Sequence, residues 1–152
     1  MGTRWLASNA LLAAVYAAVA LVLPATAFAN YRLTTALYAL AAFNSRLIPG
    51  LALGNALAGI PQGPLDIALG GVIGLVTSWA CSRVSPWASP IAILIVPTLV
   101  VPLWLGLLFS APYAAVVPVL FVGQAASALL AWTLVVPLGL RFKDALRRAT
   151  GT

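Results

Sequence analysis

The sequence predicts an all-α integral membrane protein: a single membrane domain over residues 1–152, built as a bundle of six transmembrane helices. Three observations predict it. Hydrophobic residues make up 63% of the chain and charged residues 7%, against about 25% charged in an ordinary soluble domain, too few to cover a water-facing surface. Apolar stretches recur along the whole length rather than in one anchor, so lipid is the solvent of the body. The basic residues fall between those stretches, as they do where short loops fix orientation in a membrane.

The first helix is expected over 7–23, a run of Ala, Leu and Val that stops at Pro24, whose ring removes a backbone donor. The same region has a competing reading as a secretory signal. Arg4 gives a basic start, Ala10 to Leu23 an apolar centre, and Ala27-Phe28-Ala29 a small-x-small cleavage site before Asn30. The second and third helices, 33–43 and 47–60, are separated by Asn44-Ser45-Arg46. Both are short of the roughly 20 residues that cross a bilayer, so they are either tilted spans closing a hairpin or a re-entrant pair shielded by protein.

Pro61-Gln62-Gly63-Pro64 is a turn. The fourth helix, 65–81, ends before Ser82-Arg83 and a loop with Pro and Ser that runs to Pro90. The fifth, 91–109, contains Pro97 and Pro102, which predict a kink. The sixth, 113–140, carries Pro118 near its start and Pro137 near its end.

With the N-terminus in the cytoplasm, Arg4, Arg46, Arg83, Arg141, Lys143, Arg147 and Arg148 all fall inside, seven of the eight basic residues. A multi-pass protein of the cell membrane with both termini cytoplasmic follows. The even number of spans argues against cleavage after Ala29, which would leave an odd number. Only Arg32 and Asp66 are left on the outer side, where a charge is costly unless it is paired or functional.

Inventory excludes much else. There is no histidine, and the single cysteine, Cys81, lies in an apolar run, which excludes a disulfide framework and a Cys/His zinc site. Asp66 and Asp144 are the only carboxylates, leaving little from which to assemble acid–base or nucleophilic catalysis. No catalytic residue, metal or cofactor is expected. The net charge of +6 forms no broad basic patch interleaved with aromatics, so nucleic acid is not an expected partner. No glycine-rich phosphate loop followed by lysine occurs, and the chain cannot hydrolyse ATP unaided.

The remaining polar residues are the candidates. Tyr31, Arg32, Thr34, Thr35 and Tyr38 cluster where the first outer loop enters the second helix. Arginine offers a planar donor fork for a carbonyl or an anion, although a snorkelling Arg32 with Tyr at the interface explains the same residues. Asp66 opens a helix after a Pro-containing turn, where a dipole role suffices, and pairing with Arg32 is an alternative. Gln124 is a mid-helix amide in lipid that needs a partner, either another helix or a substrate. Ala10, Ala14 and Ala18 form one helical stripe, with Ala13 and Ala17 on the neighbouring row, and either a partner helix or internal packing would use it. Trp79, Trp87, Trp104 and Trp132 read as belt or packing residues.

The order of these features resembles a family, the substrate-binding S components of energy-coupling factor (ECF) transporters, and within it the QueT-type queuosine-precursor transporters. The likeness covers most of the chain. It is carried by Ala10-x-x-x-Ala14-x-x-x-Ala18, Tyr31-Arg32-Leu33-Thr34-Thr35-Ala36-Leu37, Ile48-Pro49-Gly50-Leu51-Ala52-Leu53-Gly54 and Leu65-Asp66-Ile67-Ala68-Leu69-Gly70, with Gly123-Gln124 a weaker match.

The resemblance implies six helices and capture of a small molecule near the outer face. It also implies docking through the alanine motif onto a transmembrane coupling protein energised by ATPase subunits. Substrate contacts are expected from Tyr31, Arg32, Thr35, Tyr38, Asp66 and Gln124. Such sequences usually carry an acid where this chain has Thr35, Gly-Glu where it has Gly123-Gln124, and Asn where it has Gly59. With two acids lost, a neutral deazapurine or another vitamin-like heterocycle fits better than a cationic aminomethyl ligand. The rival readings are a membrane scaffold whose alanine stripe binds a partner helix, and a solitary secondary carrier.

Overall fold

The computed structural model describes residues 2–22, 33–110 and 112–150. Every regular element among them is helical: α1 (Thr3–Val22), a 3-10 helix (Leu33–Ala42), α2 (Ile48–Ala58), α3 (Pro64–Ser82), α4 (Ser89–Phe109), α5 (Tyr113–Leu130), a π turn (Ala131–Val135), α6 (Val136–Arg141) and α7 (Lys143–Thr150), with single 3-10 turns at Ser45–Leu47 and Ile60–Gln62. Four stretches are long and apolar enough to cross a membrane: Thr3–Val22, Pro64–Ser82, Ser89–Gly106 and Tyr113–Arg141. The last joins α5, the π turn and α6 into one continuous helix.

The expectation of six full spans needs correction at the second and third segments. Leu33–Ala42 has 10 residues and Ile48–Ala58 has 11, and at their respective rises they reach about 20 Å and about 16 Å. The hydrocarbon core is about 30 Å thick. The 3-10 form, unusual at this length, gains about 5 Å over an α-helix of equal length. Its conformation is imposed by its surroundings: Thr34, Thr35, Ala36, Tyr38, Ala39 and Ala41 are buried, so all three of its faces are packed, against α1, α2, α3, α4 and α5.

The six segments alternate in direction. Trp5 Nε1 donates to the Arg46 carbonyl at 3.1 Å, which ties the loop before α2 to the start of α1. Trp132 Nε1 donates to the Trp87 carbonyl at 2.9 Å, which ties the α3–α4 loop to the descending last helix. Arg4, Arg46, Arg83, Arg141, Lys143 and Arg148 therefore gather at one end of the bundle, and Asp66 stands towards the other.

Asn9 fixes the approach of α2. Pro49 in the first turn of that helix has no N–H, and the next donor, Gly50 N–H, is bonded by Asn9 Oδ1 of α1 at 2.7 Å. Asn9 Nδ2 in turn donates to the Trp5 and Arg46 carbonyls, each at 3.0 Å. The side chain thus caps α2 from a neighbouring helix, and it is buried. Replacing it with alanine strands a buried donor, at a cost of about 1–3 kcal/mol. Asn9→Ala is expected to lower the thermal unfolding midpoint in detergent by several degrees; an unchanged midpoint would show that Gly50 N–H finds another acceptor.

Further along, Gly54 allows a second close contact between the two helices. A β-carbon there would lie 2.6 Å from Tyr16 Cβ and 3.1 Å from the Ala13 carbonyl oxygen, so only glycine permits α1 and α2 to pack at this separation.

Candidate ligand-binding site

Two residues of the 3-10 helix start the site. In that geometry positions i and i+3 eclipse, so Thr35 and Tyr38 point the same way, and both are buried. Tyr38 stacks on Tyr16 of α1 with centroids 5.7 Å apart and planes 26° from parallel.

The Tyr16 hydroxyl lies 3.1 Å from Tyr38 Oη and 3.1 Å from Asn55 Oδ1 of α2. An amide oxygen only accepts, so the Tyr16 proton goes to Asn55 and the Tyr16 oxygen is left to the Tyr38 hydroxyl. Asn55 Nδ2 donates to the Gly70 carbonyl of α3 at 2.6 Å. One buried chain of polar groups therefore links α1, the 3-10 helix, α2 and α3.

On the far side, Thr35 Oγ1 donates to Gln124 Oε1 of α5 at 3.2 Å. Gln124 is 5% exposed. With its oxygen accepting from Thr35, its NH2 is the group left to the space between the helices, and it has no hydrogen-bond partner among the described residues.

Asp66 enters from the first turn of α3, after Gly63, whose φ of 114° suits glycine. A β-carbon at Gly59 would lie 2.8 Å from the Asp66 carbonyl. The glycine therefore lets the end of α2 lie directly against the turn that sets Asp66.

These groups surround one cavity of about 60 Å³, lined by Thr35, Tyr38, Asn55, Asp66, Gly70 and Gln124 on its polar side. Ile73, Pro97, Val101, Trp104, Leu105 and Leu120 make the apolar side. The contributions come from the 3-10 helix and from α2 to α5, in the half of the bundle away from the basic end.

Four of the six residues singled out in the sequence, Thr35, Tyr38, Asp66 and Gln124, meet here. Tyr31 and Arg32, with the proposed Arg32–Asp66 pair, lie outside the described residues. Sequence reasoning missed Asn55 and its supporting Tyr16. The signal for Asn55 was the one that drew attention to Gln124, a side-chain amide inside an apolar run. Trp104, read as a belt or packing residue, lines the apolar wall.

The alanine rows of α1 separate cleanly. Ala13 and Ala17 are buried, whereas Ala10, Ala14 and Ala18 are exposed. Internal packing uses the first row, and the second faces outwards along the span.

An amide NH2, a carboxylate and a phenol on one side, with an indole and branched aliphatics on the other, suit a flat ring with a polar edge. No curated protein and no solved structure matches the chain. The family model described as QueT transporter matches residues 6–139, and the chain accordingly belongs to the QueT transporter family.

Proposed function

We propose that the chain is the substrate-binding S component of an ECF importer and captures a neutral deazapurine or similar vitamin-like heterocycle. One observation carries this reading. In a member of a transporter family, polar side chains from the 3-10 helix, α2, α3 and α5 converge on one cavity with an apolar wall opposite.

In this reading Gln124 donates to a ring carbonyl or nitrogen, Asp66 and Asn55 read the opposite edge, and Trp104 packs on the ring face. Tyr31 and Arg32, which precede the 3-10 helix in sequence, belong to the same proposed set. All six segments cross or enter the bilayer within a single membrane domain, the two short ones lying inside the bundle. The basic end is cytoplasmic, which places the cavity towards the outside of the cell. The exposed Ala10, Ala14 and Ala18 row receives the coupling protein, and ATPase subunits supply the energy.

A volume of about 60 Å³ holds a few waters, so a bicyclic ring enters only as the walls part. The side that separates is the contact of α4 with α5, where Val101, Trp104 and Leu105 meet Leu120 and Val116. That contact is apolar apart from the Tyr113 hydroxyl, which donates to the Leu99 carbonyl at 3.2 Å, whereas the opposite side is cross-linked by a buried chain of hydrogen bonds.

Equilibrium titration of the purified chain with a panel of deazapurines and common vitamins is expected to find a submicromolar ligand, and mass spectrometry of the co-purifying small molecule to give its class. If no member of the panel binds tightly and nothing co-purifies, capture is not its role.

A further inference from the structure

At the basic end, the first turns of α1 and the short terminal helix α7 border a shallow, open groove lined by Arg4, Ala7, Ser8, Ala145 and Arg148. We infer that this groove holds the headgroup of an anionic phospholipid, its phosphate between the Arg4 and Arg148 guanidiniums.

The first argument is depth. Arg4 stands just ahead of the apolar run of α1, whose neighbouring Leu6 and Leu11 are 65% and 67% exposed. In a membrane-spanning helix those leucines face acyl chains, and the groove beside them lies at headgroup level.

The second is the fixed position of α7. Leu146 packs on the main core, while Lys143, Ala145 and Arg148 are exposed. Of the α7 side chains, Ala145 and Arg148 line the groove, with the exposed Asp144 one turn before Arg148.

The third is charge. Among the described residues neither Arg4 nor Arg148 pairs with a carboxylate, and the one bond from the Arg148 head, from Nε to the Asp144 carbonyl, is 3.3 Å long. Both guanidiniums line the one groove with donors to spare, and their planar forks match phosphate oxygens. Basic pockets of this kind at the ends of membrane helices bind anionic lipid heads. The inference concerns a site remote from the ligand cavity and stands whatever that cavity binds.

Native mass spectrometry of the delipidated full chain, titrated with dioleoyl phosphatidylglycerol or dioleoyl phosphatidylcholine, tests it. The wild type is expected to retain one phosphatidylglycerol in clear preference to phosphatidylcholine. The double variant R4Q/R148Q should bind it roughly 30-fold more weakly, at about 1 kcal/mol for each basic residue near the surface.

Equal retention of the two lipids, or undiminished phosphatidylglycerol binding by the variant, would overturn the assignment. So would displacement of the lipid by millimolar inorganic phosphate, which would mark a soluble-anion site. Should the double variant fail to purify, the salt dependence of the wild type decides. Retention that falls steeply with added salt supports the ionic headgroup contact, and salt-independent retention excludes it.

Discussion

Gln124→Leu is expected to weaken ligand binding by about 5- to 150-fold while leaving the helix bundle folded. The substitution keeps the bulk of the side chain and removes both its polar atoms: the oxygen that accepts from Thr35 at 3.2 Å and the NH2 turned towards the cavity. A hydrogen bond to a buried ligand group, once its partner is deleted, costs about 1–3 kcal/mol, which converts to the stated range in affinity. Fold stability should change far less, since an amide inside an apolar helix is itself costly and leucine is not.

Titration calorimetry on the wild type and the variant separates the two effects when paired with a thermal melt. Unchanged affinity in a folded Gln124→Leu protein would remove the cavity as the ligand site. Gln124→Glu adds a sharper arm. It adds a negative charge at the cavity, so preference should move from a neutral deazapurine towards its aminomethyl, positively charged counterpart. Lack of any such shift would mean that charge at this position does not select the substrate.

The same residue shows what the sequence could and could not disclose. An amide or a carboxylate in lipid is legible as an anomaly, because the cost of burying it demands a partner. Gln124 and Asp66 were found on that ground, and the structure sets both on one cavity. Asn55 obeyed the same rule in a segment whose shortness drew the attention instead.

Helix ends were legible where proline and glycine punctuate the chain, as at Gly63-Pro64. The 3-10 form of Leu33–Ala42 was not, because it arises from burial on every side by distant elements, and local spacing carries no trace of that. The π turn at Ala131–Val135 is equally silent: the Trp132 and Trp87 contact that accompanies it spans 45 positions.

The two alanine rows of α1 were visible but indistinguishable. Period 3.6 places Ala13 and Ala14 on adjoining faces and cannot say which one meets Gly54. The structure decides: Ala13 is 2% exposed and its carbonyl lies 3.1 Å from the position of a β-carbon on Gly54, whereas Ala14 is exposed.

That difference of one residue yields the strongest functional test. Under the S-component role proposed above, Ala14→Trp is expected to abolish transport by the assembled importer while ligand affinity and thermal stability stay at wild-type values. A surface substitution of this kind costs within about 0.5 kcal/mol of nothing in the isolated chain. An indole on the outward stripe, however, holds a partner helix several ångströms away from the backbone that small residues would let it reach.

Ala13→Trp reverses the pattern. With no room between α1 and α2, the ring forces the helices apart, an overpacking cost of about 1–3 kcal/mol or more. The misplaced Tyr16 then disrupts the hydrogen bonds to Asn55 and Tyr38, so stability and ligand binding fall together.

Co-purification with the coupling protein, uptake in cells carrying the ATPase subunits, and ligand titration read all three quantities on both variants. If Ala14→Trp supports undiminished uptake and co-purifies normally, the outward alanine row is not the docking face. If the chain alone moves substrate across liposomes, with or without the tryptophan, it is a solitary carrier and needs no coupling protein.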